Sequence, residues 1–315
     1  MYIGIDIGGT TIKALLGDGS GRILAFDRIP TGKGAEEIDA GIEGLVRGLA
    51  RAASVPMGRI KAVGVGSAGA IDRRTGTIIK SPNIPAFRHH PLASSIERRT
   101  GIKAFLENDA TVAVMGEWWT GHGRDYQNWI MLTLGTGIGG GAVVDNRLYT
   151  GQTGSALEVG HMSIDYRGRR CPCGSTGCLE RYASAPSLLR LARSLLKKYP
   201  RSTLHARLKK ETLSPRMIEE EAHRGDALSK MVYESVAGWL GIGVANLVNL
   251  FNPEAVIFTG GLSKAHRLIL PTVKRVVKSR VLEGLDSNLK YFVVRDVERL
   301  PALGAVKLAM DSYRP

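Results

Sequence analysis

The chain has 315 residues, 43% apolar and 23% charged, a balance close to the average for soluble globular proteins and enough length for roughly two domains. The net charge of +14 comes from Lys and Arg spread along the chain without a basic tail. The densest stretch, 190–210, places them at near-helical spacing among Leu residues, which reads as a solvated helix face rather than a nucleic-acid patch.

The first residues, Met1 to Asp6, lack a basic n-region, and Asp6 interrupts the apolar run, so no signal peptide is expected. No uninterrupted apolar stretch of about 18 residues follows, so no membrane span is expected, and the expected location is the cytoplasm. Residues 2–7 and 12–16 are short apolar segments around Gly8-Gly9-Thr10, the pattern of a hairpin. Residues 35–54 carry Ile38, Ile42, Leu45, Val46 and Leu49 at helical spacing. Strands are expected at 60–66 and 102–106, then a helix from Asp109 to Trp119. A second cycle opens with a strand at 129–134, a glycine-rich turn from Gly135 to Gly141 and a strand at 142–144. Residues 185–240 read as mostly helical, 255–259 as a strand ending in Gly260-Gly261, and Leu303 to Met310 as a helix. Each half therefore opens with strand, Gly/Thr-rich turn and strand, a degenerate internal duplication. Mixed strands and helices argue for an α/β class with ligands at strand ends and in a cleft between lobes.

Four segments carry chemistry. In Asp6-Ile7-Gly8-Gly9-Thr10-Thr11-Ile12-Lys13, glycines let backbone amides approach phosphate oxygens, Thr10 adds a donor, Lys13 a counter-charge, and Asp6 a carboxylate to orient hydrated Mg²⁺. An ordinary tight hairpin accounts for the same residues. Leu134-Gly135-Thr136-Gly137-Ile138-Gly139-Gly140-Gly141 follows an apolar strand and is costly in chain entropy unless the backbone must touch something. It is neither a Walker loop nor a dinucleotide fingerprint. In Glu107-Asn108-Asp109, a carboxylate at a strand end beside an amide suits a general base. On these residues alone, a helix N-cap is the favoured reading.

The fourth segment runs from Glu158-Val159-Gly160-His161 to Cys171-Pro172-Cys173 and Cys178-Leu179-Glu180. Three cysteines so close together are too few for a disulfide framework. With one imidazole they supply the four ligands of a closed tetrahedral Zn²⁺ site, hence a structural one: His161, Cys171, Cys173 and Cys178. Its expected job is to hold Glu158 and Glu180 toward a substrate.

Together these residues resemble the ROK family, which contains sugar kinases and sugar-responsive repressors, collinearly from residue 2 to about 310. The resemblance implies a two-lobed actin-like ATPase and sugar-kinase fold, of ribonuclease H-like type. The smaller lobe would span 1–118, with a helix at about 301–315 packing back on it, and the larger lobe, with the zinc knuckle, 119–300. It implies an ATP- and Mg²⁺-dependent kinase acting on the 6-hydroxyl of a hexose, glucose first, with a fructokinase or N-acetylmannosamine kinase as alternatives. The ATP phosphates would meet Asp6, Gly8, Gly9, Thr10, Thr11, Lys13, Gly135, Thr136 and Gly137. Gly260 and Gly261 match a later nucleotide loop, and Gly304 a contact on the adenosine side. Asp109 becomes the catalytic base, and Asn83, Asn108, Asp109, Glu158, His161 and Glu180 the sugar contacts. Removing Glu158 or Glu180 is expected to raise the KM for sugar more than to weaken ATP binding. One departure stands out: Gly66-Ser67-Ala68-Gly69 lacks the proline the family usually has there, which loosens that turn. A sugar-sensing repressor is disfavoured, because the phosphate motif starts at Asp6 and no helix-turn-helix is expected before it. An actin-like structural ATPase fails to explain Asn108-Asp109 together with the knuckle. A homodimer is expected by family analogy, and neither a nucleic-acid nor a membrane partner is expected.

Overall fold

The computed structural model describes residues 1–314. Two compact units emerge, one made of residues 1–125 and 295–315 and the other of 126–294.

In the first unit, β1 (Tyr2–Ile7), β2 (Thr11–Gly17) and β3 (Ile23–Pro30) form an antiparallel ribbon that precedes α1 (Ala35–Ala52). Then come β4 (Ala62–Ser67), β5 (Ala70–Asp72), β6 (Thr77–Lys80), β7 (Arg88–His90), α2 (Leu92–Thr100), β8 (Lys103–Asn108) and α3 (Asp109–Thr120). The main sheet has the order β3-β2-β1-β4-β8, with β4 and β8 parallel to β1, and β5-β6-β7 form a small separate sheet.

The second unit repeats the scheme. Its strands are β9 (Trp129–Leu134), β10 (Ile138–Val144), β11 (Arg147–Tyr149), β12 (Ala255–Thr259) and β13 (Lys290–Val293). The order is β11-β10-β9-β12-β13, again three antiparallel strands followed by two parallel ones. The duplication suspected from the turns is thus a duplication of topology. Helices α4 (Glu180–Ala183), α5 (Ala185–Leu195), α6 (Leu204–Arg207), α7 (Pro215–His223), α8 (Ala227–Phe251) and α9 (His266–Lys278) complete this unit. Among the described residues, α8 is the one helix long and apolar enough to cross a membrane, a length the broken apolar pattern did not suggest. Its Leu228, Val232, Val236, Leu240, Val244 and Val248 are buried in the core of the second unit, against residues such as Leu132 and Phe258.

The last helix, α10 (Leu300–Ser312), belongs to the first unit. Strand alternation explains where it lies. Ile3, Ile5 and Ile7 of β1, with Val63 and Val65 of β4, enter one core with α1. The opposite face carries Gly4 and Gly64, where a Cβ would fall 1.9 Å from Ala302 O and 1.8 Å from Ala305 O. The sheet is therefore bare of side chains where α10 lies on it, and both faces are covered.

Candidate active site

The β1–β2 hairpin sets the first part of the site. Its register places Asp6 opposite Lys13, a cross-strand pair with Lys13 Nζ 3.8 Å from Asp6 Oδ2. The turn is closed by Gly8 N–H donating to Thr11 O at 3.1 Å, and Thr31 Oγ1 donates to Gly8 O at 2.7 Å. Gly9 and Thr10 are exposed at its tip. Asn83 belongs here as well: a Cβ on Gly9 would lie 3.1 Å from Asn83 O.

The strand β8 delivers Glu107-Asn108-Asp109 to the start of α3. Asn108 is the N-cap; its Oδ1 accepts from Ala110 N–H at 2.9 Å and Thr111 N–H at 3.4 Å. With that oxygen occupied, the group Asn108 offers to a ligand is its NH₂, a donor. Asp109 is the first helical residue, and its Oδ1 accepts from Ala110 N–H at 2.9 Å. Burial pushes its carboxyl above the ordinary value, and backbone N–H groups partly offset this. Burial also lifts Asp6 to about 6, against the pull of Lys13, and the nearby Asp109 charge raises it further. A carboxyl with raised affinity for a proton at a strand end suits a proton acceptor.

Arg73 is a residue that sequence reasoning missed. It follows β5 and sends Nε and Nη2 to the two oxygens of buried Glu107, each at 2.5 Å. Glu107 Oε1 also accepts from Asn108 N–H at 2.7 Å. This two-pronged clamp fixes the strand end that presents Asn108 and Asp109. The pair lies 34 residues apart in the chain, and nothing local announces it.

In the second unit the glycine motif divides its work. Gly135 N–H donates to Gly137 O at 2.9 Å, forming a turn with exposed Thr136 at its tip. The turn is shorter than expected: β10 already begins at Ile138, and Gly139, Gly140 and Gly141 pair with Thr133, Leu132 and Met131. Those strand glycines serve close packing. A Cβ on Gly140 would lie 2.7 Å from Val159 Cγ2, and one on Gly160 2.1 Å from Ile138 O. The tight turn Val159–His161 therefore rests directly on β10, with Glu158 at its head and Leu157 before it at φ 63°. Gly260, at φ 88°, packs against Leu134, the residue before the Gly135–Gly137 turn.

Gly304, expected on the adenosine side, lies in the last helix. It is buried in α10, where a Cβ would lie 1.6 Å from Val112 O of α3. The glycine lets two helices cross closely.

The four metal-ligand residues converge. His161 Nδ1 lies 3.9 Å from Cys171 Sγ, Cys173 Sγ lies 3.7 Å from Cys178 Sγ, and all four donor atoms fall within 4.8 Å of one another. A tetrahedral ion with Zn–S bonds of about 2.3 Å would separate its sulfurs by roughly 3.8 Å, so the set fits Zn²⁺. The knuckle is built by Cys171 N–H donating to Ser175 O at 2.8 Å and by left-handed Gly174 and Gly177. Two residues beyond Cys178, Glu180 opens α4.

Comparison with known proteins agrees with this geometry. Residues 2–312 match the ROK family. The glucokinase of Thermotoga maritima is 35% identical over 312 residues, covering 98% of this chain and 97% of that protein. The xylose repressor of Caldicellulosiruptor bescii is 31% identical over 312 residues, covering 98% of this chain and 78% of the repressor. A solved ROK family glucokinase from Streptomyces griseus, in complex with glucose and AMPPNP, matches with a TM-score of 0.87 and 34% identity over 99% of each chain. The repeated sheet is that of the actin-like ATPase and sugar-kinase fold, and the chain belongs to the ROK family.

Proposed function

We propose that this chain is a hexose kinase that transfers the γ-phosphoryl group of ATP to the 6-hydroxyl of glucose. The observation that carries the reading is Asp109, held at the start of α3 near the Asp6 carboxyl, where burial raises its affinity for a proton. Likeness to glucokinases along nearly the whole chain supports the substrates.

Asp109 accepts the 6-hydroxyl proton as that oxygen attacks the γ-phosphorus; the new O–P bond forms while the bond to the β,γ-bridging oxygen breaks and ADP leaves. The Asn108 amide donates to the hydroxyl and steadies it. Asn83, Glu158, His161 and Glu180 hold the remaining sugar hydroxyls. Gly8, Gly9, Thr10, Thr11 and Lys13, with Gly135, Thr136, Gly137, Gly260 and Gly261, receive the nucleotide. Catalysis of this kind is positioning and electrostatics, so backbone donors and Lys13 matter as much as the base. Mg²⁺ bound with ATP would supply charge neutralisation, and Asp6 would be the carboxylate that orients its water. His161, Cys171, Cys173 and Cys178 would hold Zn²⁺, which would supply rigidity to the segment that carries Glu158 and Glu180. With Nδ1 turned to the cysteines, Nε2 of His161 is the nitrogen left for a sugar hydroxyl. In this reading the enzyme works in the cytoplasm as a homodimer without nucleic-acid or membrane partners; the dimer rests on family likeness.

A coupled ATP-consumption assay over glucose, mannose, fructose, glucosamine, N-acetylglucosamine and N-acetylmannosamine tests the proposal, with glucose expected to turn over best. Preference for fructose or N-acetylmannosamine would reassign the sugar, and no turnover would remove the kinase. Asp109→Asn should lower kcat by about 10²–10⁴-fold with glucose still bound. A loss below about tenfold would mean another group is the base.

A further inference from the structure

Glu180 does more in this structure than face a sugar. Its Oε2 accepts from the backbone N–H of Ile138 at 3.0 Å, immediately after the Gly135–Gly137 turn. A Cβ on Gly137 would lie 2.4 Å from that same oxygen, so the carboxylate lies directly against the turn. Just past α4, Ala185 N–H donates to Gly135 O at 2.9 Å. Segment 180–185 thus holds the turn at both ends, and its own start is fixed by Ser187 Oγ donating to Glu180 O at 3.0 Å. A carboxylate accepts at about four lone-pair sites. One is occupied by Ile138, which leaves capacity for a hydroxyl.

We infer that Glu180 is a positioning residue for the phosphate-binding turn as well as a sugar contact, and that sugar and nucleotide binding are coupled through this one side chain. The inference rests on the kinase reading above and deepens it. A hydroxyl drawn to Glu180 selects one placement of the carboxylate. That placement orients Ile138 N–H and the approach of Gly137, and so the donors offered to phosphate. The coupling is reciprocal: nucleotide on the turn steadies the carboxylate for the sugar. For Glu180 a direct effect on nucleotide is thereby added to the expected, larger effect on sugar. The contact spans 42 residues of sequence, so spacing does not suggest it.

The test is calorimetric titration of the zinc-loaded full chain with AMPPNP and Mg²⁺, with and without saturating glucose. For the wild type, glucose should tighten AMPPNP by roughly 5–150-fold, the usual range of coupling between sites. Glu180→Ala should weaken AMPPNP by about tenfold in the absence of sugar, the loss of one charge-assisted hydrogen bond, and abolish the tightening. Glu180→Gln, whose amide oxygen still accepts from Ile138 N–H, should restore sugar-free AMPPNP affinity to within about twofold while glucose binding stays weak. Should the alanine variant fail to fold, Glu180→Asp decides. It keeps the charge but is one methylene too short for Ile138, and it should weaken AMPPNP in the same way. Unchanged AMPPNP affinity in the alanine or aspartate variant, with glucose binding lost, would make Glu180 a sugar contact only and overturn the inference. Failure of the glutamine variant to recover nucleotide affinity would also overturn it. Wild-type protein that binds neither AMPPNP nor glucose would sink the kinase reading itself, and this inference with it.

Discussion

Asp6→Asn should make the ligand-free protein more stable and less active, and the gain should depend on pH. The Asp6 side chain is 13% exposed, and burial raises its pKa from 3.8 to about 6. Below pH 3.8 the carboxyl is protonated in both folded and unfolded chains and adds no penalty. Through the window up to about 6 the unfolded chain ionises while the folded one resists, so stability falls as pH rises; above it the full penalty stands. A shift of about two units corresponds to about 3 kcal/mol opposing folding at pH 8. Asn removes that penalty, and because the net shift already contains the pull of Lys13, no further loss is subtracted for the broken pair. The gain is about 3 kcal/mol at pH 8, a rise in Tm of roughly 6–12 °C. At pH 4.5 the gain should shrink to about 1 kcal/mol or less. Thermal unfolding followed by circular dichroism at both pH values, in metal- and nucleotide-free buffer, reads the difference. A variant that melts with or below the wild type at pH 8, or an offset that does not shrink at pH 4.5, would refute the electrostatic account. The accompanying fall in kinase rate would show stability given up for function at this carboxylate.

Stripping metal with a strong chelator should release one zinc per chain, measured by elemental analysis, and lower Tm by roughly 6–12 °C, as expected for the loss of about 3 kcal/mol; the KM for glucose should rise because Glu158 and Glu180 lose their support. Two glycine substitutions should part company. Gly304→Ala forces a Cβ to 1.6 Å from Val112 O and should lower stability by about 3 kcal/mol or more, read by urea unfolding. Gly135→Ala meets nothing within 4 Å and should fold normally while AMPPNP binding weakens. Arg73→Met leaves the buried Glu107 carboxylate unpaired and should cost about 2–3 kcal/mol, discounted because the Arg73 side chain is 30% exposed. Adding Glu107→Gln should recover more than half of that loss in a double-mutant cycle.

What the sequence revealed was local. Alternating apolar residues around Gly8-Gly9 specify a hairpin whose register opposes Asp6 and Lys13, and four ligand residues within 18 positions specify a metal knuckle. Glycine was the ambiguous letter. Gly135 and Gly137 make a turn, Gly140 and Gly160 let one segment lie on another, and Gly4, Gly64 and Gly304 clear the way for α10. A missing side chain reads the same in all three uses; only the neighbour, often hundreds of residues away, tells them apart. The same holds for Arg73 with Glu107 and for Glu180 with Ile138, whose pairing is a property of the folded sheet rather than of spacing. Asn108 and Asp109, by contrast, carry cap and candidate base side by side, so the two readings of that motif describe neighbouring atoms of one site.

The return of α10 to the first unit has a consequence for biogenesis. Its partners, β1, β4 and α3, are synthesised before residue 121, but the helix that covers them follows the whole of the second unit. At about 5–20 residues per second, the bare face of the β1–β4 sheet waits roughly 10–40 s for its cover on the ribosome. The half that is made first is therefore the half that finishes last. The exposed strip around Gly4 and Gly64 is where a nascent chain of this protein most needs protection from its neighbours.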